Sequence, residues 1–316
     1  MRRVLVTGGS GFLGSSAVAA LARHPLVELV VSGDVRPPAQ VVDGVVVESC
    51  DVTDAQAVAT VVAKHRIDTI VHLAAIVNPG ALDEEIEYRV DVQGTRNVLD
   101  AAVAYGVSRI VVSSSGAAYG YHADNPEWLT ETDAIRGNEE FSYSRHKRLV
   151  EEMLADYRAG HPSLGQVVLR IGTILGPTVA NQITALWDGP RILAIRGSDS
   201  PFVFVWVDDV VGAIVAGATG DVTGEFNVAG DGKVTVHEIA DALGKPVLTL
   251  SPGVLAFALR AGRALRLTVH GPERVGFLQY RPVLANDRLK TQLGYVPGRT
   301  SREAFDAYLE ARAARG

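Results

Sequence analysis

The feature that most constrains the fold of this chain is a glycine-rich turn near its start, Thr-Gly-Gly-Ser-Gly-Phe-Leu-Gly over residues 7–14. The turn follows a run of β-branched residues and opens a helical pattern, so it predicts a strand–turn–helix unit. Gly8 suits the positive φ of a tight turn, Gly11 lets the backbone approach a pyrophosphate, and Gly14 lets helix and strand pack closely. The helix begins with Phe12 and Leu13, and its free N–H groups would face phosphate charge.

An acidic residue stands about twenty residues beyond the last glycine of this turn. Asp34 lies at the end of the second predicted strand, where it would accept hydrogen bonds from an adenosine ribose diol. A carboxylate there would repel a 2′-phosphate, so the sequence favours NAD as the cofactor. Arg36, two residues on, partly offsets that repulsion and leaves NADP as the alternative.

Apolar runs alternate with amphipathic stretches over the first 170 residues. Near-continuous valine and isoleucine runs are typical of parallel strands buried on both faces, and the alternation implies right-handed crossovers. The predicted strands are Val4–Thr7, Glu28–Ser32, Val45–Glu48, Thr69–Leu73, Arg109–Ser114 and Gln166–Ile171, and the predicted helices are Phe12–Arg23, Asp54–His65, Asp83–Tyr105 and Tyr143–Gly160. The fold class is therefore α/β, a doubly wound parallel sheet of the Rossmann type.

The regular alternation stops after Arg170, which divides the chain into two parts. Residues 1–172 are predicted to form a dinucleotide-binding Rossmann domain. Residues 173–316 are expected to form mainly a smaller, C-terminal substrate-binding part. Within it, residues 203–229 would return to the first domain, beginning with a strand-then-helix unit over Val203–Ala218.

The composition of the chain limits the kinds of molecule that it is expected to bind. The net charge is −6, which argues against a nucleic acid or an anionic membrane, since both call for a basic face. No uninterrupted apolar window reaches the length of a membrane span, and the start of the chain leaves no room for a signal peptide. Cys50 is the single cysteine, and the eight histidines lack ligand spacing, so we expect a cytoplasmic protein without a metal.

A tyrosine and a lysine share one helical face at Tyr143 and Lys147, four residues apart. A free tyrosine has a pKa near 10, and a nearby ammonium favours its phenolate form. A tyrosine so placed takes a proton from an alcohol as hydride leaves the carbon, or gives one to a ketone in reverse. The pair therefore predicts redox chemistry on a hydroxyl or ketone of a small molecule.

Together these motifs resemble the extended short-chain dehydrogenases/reductases of the NAD-dependent epimerase/dehydratase family. The resemblance runs over nearly the whole chain. The matching segments are Thr7–Gly14, Asp34, Asp51–Asp54, His72–Ala75, Ser113–Ser115 with Tyr119-Gly120, Tyr143 with Lys147, Leu169-Arg170 and Val207–Val210.

The resemblance implies a role for several residues. Asp51 and Val52 would hold the adenine, whereas Leu73, Ala74 and Ala75 would pack beside the cofactor. Lys147 would also bind the nicotinamide ribose. Ser115 takes the place of the family's catalytic Ser/Thr and would orient the reacting oxygen for Tyr143. The family's dimer face is formed by the two long helices over 83–105 and 143–160, so the resemblance also implies a homodimer.

Departures from the family pattern narrow the chemistry. Gly116 and Ala117 stand where dehydratases and decarboxylases carry an acid, so loss of water is not expected. Phe202 stands where sugar-nucleotide enzymes place an arginine on the diphosphate, which favours a less polar substrate. Four arginines remain as replacements for it, namely Arg191, Arg196, Arg274 and Arg281. Asp91 stands where the family has an asparagine.

Three functions remain open on these residues. The first is an NAD(P)-dependent dehydrogenase/reductase acting on an apolar or mixed secondary alcohol or ketone. The second is an NAD-dependent sugar-nucleotide epimerase of the UDP-hexose type, which the same Ser115, Tyr143 and Lys147 would serve equally well. The third is a catalytically silent dinucleotide sensor, against which the retention of an activated base argues.

Overall fold

A parallel seven-stranded sheet forms the centre of the protein in a computed structural model that describes residues 1–76, 83–181, 183–265, 271 and 274–315. Its strands are β1 (Arg2–Thr7), β2 (Val27–Asp34), β3 (Val45–Ser49), β4 (Thr69–His72), β5 (Arg109–Ser115), β6 (Gly165–Ile171) and, after the shorter strands given below, β10 (Gly224–Val228). They lie in the order β10-β6-β5-β4-β1-β2-β3, and every neighbouring pair is parallel. The predicted α/β fold class is confirmed.

Helices cover both faces of the sheet. In chain order the helices are α1 (Phe12–Ala22), α2 (Ala55–Lys64), α3 (Glu84–Tyr88), α4 (Gly94–Ala104), α5 (Ser142–Gly160), α6 (Val207–Thr219), α7 (Val236–Leu243), α8 (Pro252–Ala264), α9 (Arg274–Gln279) and α10 (Ser301–Ala313). Valines and leucines of α2, α4 and α5 pack on one face of the sheet, and those of α1 and α6 pack on the other. Because both faces are covered, the central strands read as continuous apolar runs.

The chain order of the sheet reverses between β1 and β4. The strands on one side of this point run β1, β2, β3, and those on the other side run β4, β5, β6. In open α/β sheets, ligands bind at such a switch point, beyond the carboxyl ends of the strands. The glycine turn follows β1, and Leu73–Ala75 follow β4, so both segments lie at this crevice.

The strand-then-helix unit predicted over Val203–Ala218 divides between two environments. Its strand, β9 (Phe204–Trp206), leaves the main sheet and pairs in parallel with β7 (Thr173–Leu175). Its helix, α6, packs on the main sheet, and β10 completes that sheet beside β6. Beneath β9 lies a separate aromatic core in which Trp187, Phe202, Phe204, Phe305 and Tyr308 contact one another edge to face or stacked.

A second short ladder lies in the C-terminal half of the chain. It joins β8 (Ile192–Ile195) to β11 (Val247–Leu250) in parallel, and α8 packs beside it through Leu255. Within the residues that the structure describes, no helix combines the length and the apolar character needed to cross a membrane.

The long helix predicted over Asp83–Tyr105 is interrupted. Between α3 and α4, residues Arg89–Gln93 form a π-helical turn that contains Asp91. Single π-helical turns within an α-helix occur frequently at functional sites. Asp91 is 4% exposed, so the irregular turn carries a carboxyl group into the interior.

Candidate active site

The glycine turn after β1 leaves no space for side chains at two of its positions. Gly8 has φ +70°, and a Cβ at Gly14 would lie 2.0 Å from the carbonyl oxygen of Gly8. The N–H of Gly11 donates to that same carbonyl over 3.0 Å, which closes the turn. Gly11 caps α1 without a side-chain hydrogen bond, so the helix N–H groups at Phe12 and Leu13 remain available for an anion.

Asp34 lies at the end of β2, beside the glycine turn. Its two carboxylate oxygens accept hydrogen bonds from the backbone N–H groups of Ser10 (3.0 Å) and Arg36 (3.1 Å). The hydroxyl of Ser10 in turn donates to the carbonyl of Arg36 over 2.8 Å. These bonds hold the carboxylate at the carboxyl edge of the sheet, where the sequence placed it.

Two further predicted segments border the same edge. Asp51 accepts from the backbone N–H (2.9 Å) and the hydroxyl (2.8 Å) of Thr53, and the carbonyl of the buried Val52 accepts from Asn97 on α4 over 2.8 Å. On the other side of β1, a Cβ added to Gly8 would lie 2.8 Å from the backbone nitrogen of Ala74. The glycine turn is thus packed directly against Leu73–Ala75.

Two hydrogen bonds join the N-terminal part of α5 to the end of β5 and the turn that follows it. The buried hydroxyl of Ser144 donates to the carbonyl of Ala117 over 2.6 Å, and Nζ of Lys147 donates to the carbonyl of Ser113 over 2.9 Å. Ser115 ends β5, and its Oγ accepts from the N–H of Ala117 at the start of a 3₁₀ turn over Gly116–Tyr119. Tyr143, which precedes Ser144, is thereby brought to the end of β5 that carries Ser115.

Lys147 is buried, whereas Tyr143 is half-buried. The Nζ of Lys147 lies 5.7 Å from the centre of the Tyr143 ring. The lysine borders a small cavity, whose other polar lining comes from His72, Asp91, Thr95 and Ser113. Burial and then the charge of Lys147 lower the pKa of His72 to about 4. His72 is therefore neutral, and it bonds Thr7 (2.7 Å) and Thr95 (3.0 Å) through its two ring nitrogens.

A buried ion pair joins β6 to α5, the helix that carries Tyr143 and Lys147. The guanidinium of Arg170 on β6 donates to both carboxylate oxygens of Glu151 on α5, with Nη2–Oε2 at 2.7 Å and Nε–Oε2 at 2.9 Å. Each of these side chains is 6% exposed. Ser114 donates to Glu151 over 2.5 Å, and Arg170 donates to the Tyr119 hydroxyl over 2.9 Å. The network connects β5, β6 and α5 through Ser114, the residue that precedes Ser115.

Aromatic rings extend from Tyr143 towards the C-terminal part of the chain. The ring of Phe141 lies 6.4 Å from that of Tyr143 and 5.8 Å from that of Phe277. Tyr121 contacts both phenylalanines, at 5.7 Å and 5.1 Å. Burial first, and the neighbouring Tyr143 second, raise the pKa of Tyr121 above its ordinary value.

Arg281, one of the four arginines that could replace the family's arginine, lies at the far end of this row of aromatic rings. The guanidinium carbon of Arg281 lies 3.8 Å from the ring centre of Phe202 and 5.6 Å from that of Phe277. Its Nη1 donates to the carbonyl (2.7 Å) and hydroxyl (2.6 Å) of Ser200, whose φ is +33°. Its Nε is buried and has no hydrogen-bond partner among the residues that the structure describes.

The described residues provide no acidic partner for Arg281. In the described part of the chain no carboxylate forms an ion pair with it, and burial lowers its pKa to about 9. By contrast Arg191 and Arg196 are exposed. The contact with Phe202 joins Arg281 to the position where the sequence lacks the family's arginine.

The predicted site residues therefore fall into one region. Gly8–Gly14, Asp34, Asp51, Val52 and Leu73–Ala75 follow the carboxyl ends of β1, β2, β3 and β4, and Ser115, Tyr143 and Lys147 surround the end of β5. Sequence reasoning did not find the buried contact between Asp91 and His146 or the contact between Arg281 and Phe202. The substitution of Asp91 for an asparagine was the signal available for the first of these contacts.

The chain is similar to proteins of one known family. The model of the NAD dependent epimerase/dehydratase family matches residues 4–229, more than half of the chain. A UDP-glucose 4-epimerase of Rhizobium leguminosarum bv. trifolii is 34% identical over 194 residues, which cover 61% of this chain and 58% of the relative. An uncharacterized protein of Mycobacterium tuberculosis is 27% identical over 317 residues, which cover 98% of this chain and 84% of the relative.

Solved structures share the fold over its full length. UDP-glucose 4-epimerase of Thermotoga maritima with UDP-glucose superposes with a TM-score of 0.77 at 20% identity, covering 99% of both chains. UDP-glucose 4-epimerase of Thermus thermophilus in complex with NAD superposes with a TM-score of 0.75 at 25% identity, also covering 99% of both chains. Together with the match of the family model, this likeness shows that the chain belongs to the NAD dependent epimerase/dehydratase family of enzymes.

Proposed function

We propose that this protein is an NAD-dependent epimerase of a nucleoside-diphosphate sugar. The observation that carries the substrate class is Arg281, a cation whose Nε is buried and for which the described residues provide no carboxylate partner. A buried charge without a counterion is unfavourable, so such a group is typical of a site that receives an anionic ligand. A diphosphate has the charge and the oxygen acceptors that a guanidinium binds in a forked geometry.

The position of Arg281 relative to Tyr143 fits an elongated ligand with an anionic group at one end and a reacting ring at the other. Phe277 contacts Arg281, Phe141 contacts Phe277, and Tyr143 contacts Phe141. A substrate lying along these rings would place a phosphate group at Arg281 and a sugar ring at Tyr143. The apolar CH face of a sugar is suited to aromatic neighbours.

The residues near the sheet fit a dinucleotide. The uncapped N-terminus of α1 and the turn that has no space for a Cβ at Gly14 suit a pyrophosphate. The carboxylate of Asp34 suits a ribose diol, and Asp51, Val52 and Leu73–Ala75 border the same crevice. Relatives of known structure bind NAD, including the enzyme of Thermus thermophilus.

The side chains at the end of β5 would carry the proton chemistry. Bound NAD would supply the hydride acceptor and donor that epimerisation at the sugar carbon requires. Tyr143 would take the hydroxyl proton and later give it back, while Lys147 holds positive charge beside its ring and stabilises the phenolate. Ser115 would orient the same oxygen through its hydroxyl.

A dehydrogenase of an apolar secondary alcohol is the second candidate. Tyr121, Phe141 and Phe277 form an aromatic enclosure beside Tyr143, which favours an apolar substrate. The same three residues, Ser115, Tyr143 and Lys147, serve this reaction. The two candidates differ in what becomes of the reducing equivalents, because a dehydrogenase releases NADH and an epimerase returns to oxidised cofactor in each turnover.

The deciding experiment measures the retained cofactor and the two reactions side by side. Gently purified protein is denatured, and the released dinucleotide is identified by mass spectrometry. Native protein is then incubated with UDP-hexoses without added cofactor, and separately with secondary alcohols and NAD while absorbance at 340 nm is followed. Interconversion of a UDP-hexose supports the proposal, whereas net NADH formation from alcohols without interconversion supports the dehydrogenase.

Substitution of the arginines tests the assignment of the anion site. Arg281→Leu should raise KM for the sugar nucleotide about 10- to 100-fold, since hydrogen bonds to charged groups contribute about 1.5–3 kcal/mol. Arg196→Leu, at an exposed position, is the matched control and should leave KM unchanged. An Arg281→Leu enzyme with an unchanged KM would remove the main support for a diphosphate substrate.

The proposal includes the wider organisation of the protein. Residues 1–172, with 203–229, would bind the dinucleotide, and residues 173–316 would mainly bind the substrate. A homodimer through the helices over 83–105 and 143–160, and a cytoplasmic location, are further parts of it. Size-exclusion chromatography with light scattering tests the dimer.

A further inference from the structure

The interior side of the acid–base pair contains a carboxyl group that the reaction described above does not use. Asp91 lies in the π-helical turn between α3 and α4 and is 4% exposed. Its Oδ1 accepts the backbone N–H of Ile76 over 2.8 Å, which fixes the carboxyl group beside the segment that follows β4. Oδ2 faces α5.

The group opposite Oδ2 is the imidazole of His146. Its Nδ1 lies 3.4 Å from Oδ2 of Asp91, and the two side chains are 1% and 3% exposed. Among the described residues, neither ring nitrogen of His146 has a hydrogen-bond partner within normal geometry, and its ring packs edge-on against Tyr88 at 5.7 Å. Buried polar groups are generally hydrogen-bonded, and the carboxyl group of Asp91, 3.4 Å away, is an acceptor that faces this imidazole.

Asp91 also faces the lysine of the acid–base pair. It lines the same small cavity as Lys147, together with Thr95 and Ser113. The ammonium has three N–H groups, of which one is directed to the Ser113 carbonyl. His146 and Lys147 are consecutive in α5, so the Asp91 carboxyl group faces His146 directly and shares a cavity with Lys147.

We propose that Asp91 is a positioning residue that acts through Lys147 to set the pH at which Tyr143 ionises, and that His146 limits this effect by sharing the Asp91 carboxylate. A negative charge beside Lys147 offsets part of the positive charge that stabilises the phenolate. Hydrogen donation or positive charge from His146 withdraws the carboxylate from Lys147. Asp91 thus acts through Lys147 and not on the substrate.

Other charged and titratable groups around the cavity are neutral or already paired. From β4, His72 faces the cavity, and burial followed by the charge of Lys147 lowers its pKa to about 4. From α3, Glu87 accepts from the Ser142 hydroxyl. From α5, Glu151 is paired with Arg170 of β6, and residues 77–82 contain no titratable side chain. Asp91 and His146 are the remaining pair whose charge state faces Lys147 within the described part of the chain.

The direction of each effect follows from the charges. Asp91→Asn removes the negative charge but keeps the shape, so the phenolate of Tyr143 should form at a pH lower by about 0.5–1 unit, as expected for partly shielded charges. His146→Phe keeps a ring against Tyr88 but removes the group that shares the carboxylate. The phenolate should then form at a higher pH, by a similar amount.

The experiment titrates Tyr143 directly and does not need the substrate. Phenolate absorbance near 295 nm is recorded against pH for the protein as purified and with NAD, and the curve of Tyr143→Phe is subtracted. Burial raises the pKa of Tyr119 and of Tyr157 to about 12, so these tyrosines titrate above the range of interest. The proposal rests on the acid–base pair of the proposed function, but a wrong substrate class would leave this titration unaffected.

The control is Glu152→Gln, which removes a carboxylate from the same helix at an exposed position. It should move the midpoint by less than about 0.1 unit, because water and salt screen that charge. The double variant Asp91→Asn/His146→Phe should titrate like Asp91→Asn alone, since His146 acts through Asp91.

Each outcome decides the proposal. A downward shift in Asp91→Asn with an upward shift in His146→Phe that disappears in the double variant supports it. An Asp91→Asn midpoint that is unchanged or higher overturns it, as does a His146→Phe shift that persists without Asp91. Should His146→Phe fail to fold, Asp91→Asn decides alone, because it is isosteric.

Discussion

The hydroxyl of Ser144 donates to the carbonyl of Ala117 over 2.6 Å, and this bond joins the first turn of α5 to the turn that follows Ser115. Ser144 is fully buried and also accepts the N–H of Asn138 over 3.0 Å. Tyr143 and Ser115 are therefore positioned relative to each other by a residue that is itself fully buried.

Ser144→Ala should lower kcat strongly and lower the free energy of unfolding moderately. The change leaves the Ala117 carbonyl and the Asn138 N–H unpaired, so the free energy of unfolding should fall by about 1–3 kcal/mol. A displaced Tyr143 should lower kcat about 10- to 100-fold with little change in KM. Ser142→Ala, one residue before Tyr143 and only partly buried, is the comparison; equal losses of kcat in the two variants would contradict a specific role for Ser144.

Tyr143→Phe should abolish the proton transfer while leaving the fold and cofactor binding intact. General acid–base catalysis contributes about 10²–10⁴-fold, and kcat should fall by that factor. Stopped assays with the identified substrate give kcat, and the mass of the retained dinucleotide gives cofactor binding. A Tyr143→Phe protein with an unchanged kcat would contradict the assignment of Tyr143 as the acid–base group.

Gly14→Ala should damage the dinucleotide site directly. The added Cβ would lie 2.0 Å from the Gly8 carbonyl oxygen, so the turn must move away from the helix. We expect a loss of about 1–3 kcal/mol in the free energy of unfolding and at least about a tenfold weaker affinity for NAD, measured by calorimetric titration. Gly253→Ala, where a Cβ meets no atom within 4 Å, should leave the affinity for NAD unchanged.

Removal of one partner from the buried ion pair should be strongly destabilising. Glu151→Gln leaves the guanidinium of Arg170 buried without a counterion, so the free energy of unfolding should fall by about 3–5 kcal/mol in a urea titration. The double variant Glu151→Leu/Arg170→Met removes both charges and should lose less than the single variant. A single variant that unfolds at the wild-type urea concentration would show that the pair adds no stability.

His72 should make stability depend on pH on the acidic side. Burial and then Lys147 lower its pKa from 6.5 to about 4 in the folded protein, so the unfolded chain binds the additional proton first. Stability from the neutral ring is present above about pH 6.5 and is lost as the pH falls towards 4, by up to about 3 kcal/mol. Urea unfolding at pH 7 and pH 4.5 measures this loss.

His72→Asn should reduce that pH dependence, whereas His237→Asn, at an exposed position, should retain it. Carboxylates contribute to acid denaturation in all three proteins, so the comparison isolates the contribution of the buried ring. Identical pH slopes in the wild type and His72→Asn would contradict the depressed pKa.

Much of the fold and part of the candidate site could be predicted from local sequence. The six predicted strands all occur in the sheet, and the glycine turn, Asp34 and the pair Tyr143/Lys147 lie where the motif spacing placed them. Such features depend on neighbouring residues: glycine permits a positive φ at Gly8, valine-rich runs favour buried strands, and a spacing of four places two side chains on one helix face.

The strand over Phe204–Trp206 shows where local pattern was insufficient. Its apolar sequence suits the main sheet as well as the ladder that it forms with β7, and pairing is decided by which partner edge is available. The π-helical turn at Asp91 is similar, because helical periodicity alone does not reveal one inserted residue.

The sequence by itself therefore determined the α/β fold class and the positions of the glycine turn, Asp34 and the Tyr143/Lys147 pair, because each depends on short-range backbone preferences and fixed spacings. Only the tertiary structure decided that Arg281 lies on Phe202 and that Asp91 meets His146 beside Lys147. These contacts join residues distant in the chain, and their partners are selected by the packing of whole elements and by the cost of burying unpaired charge.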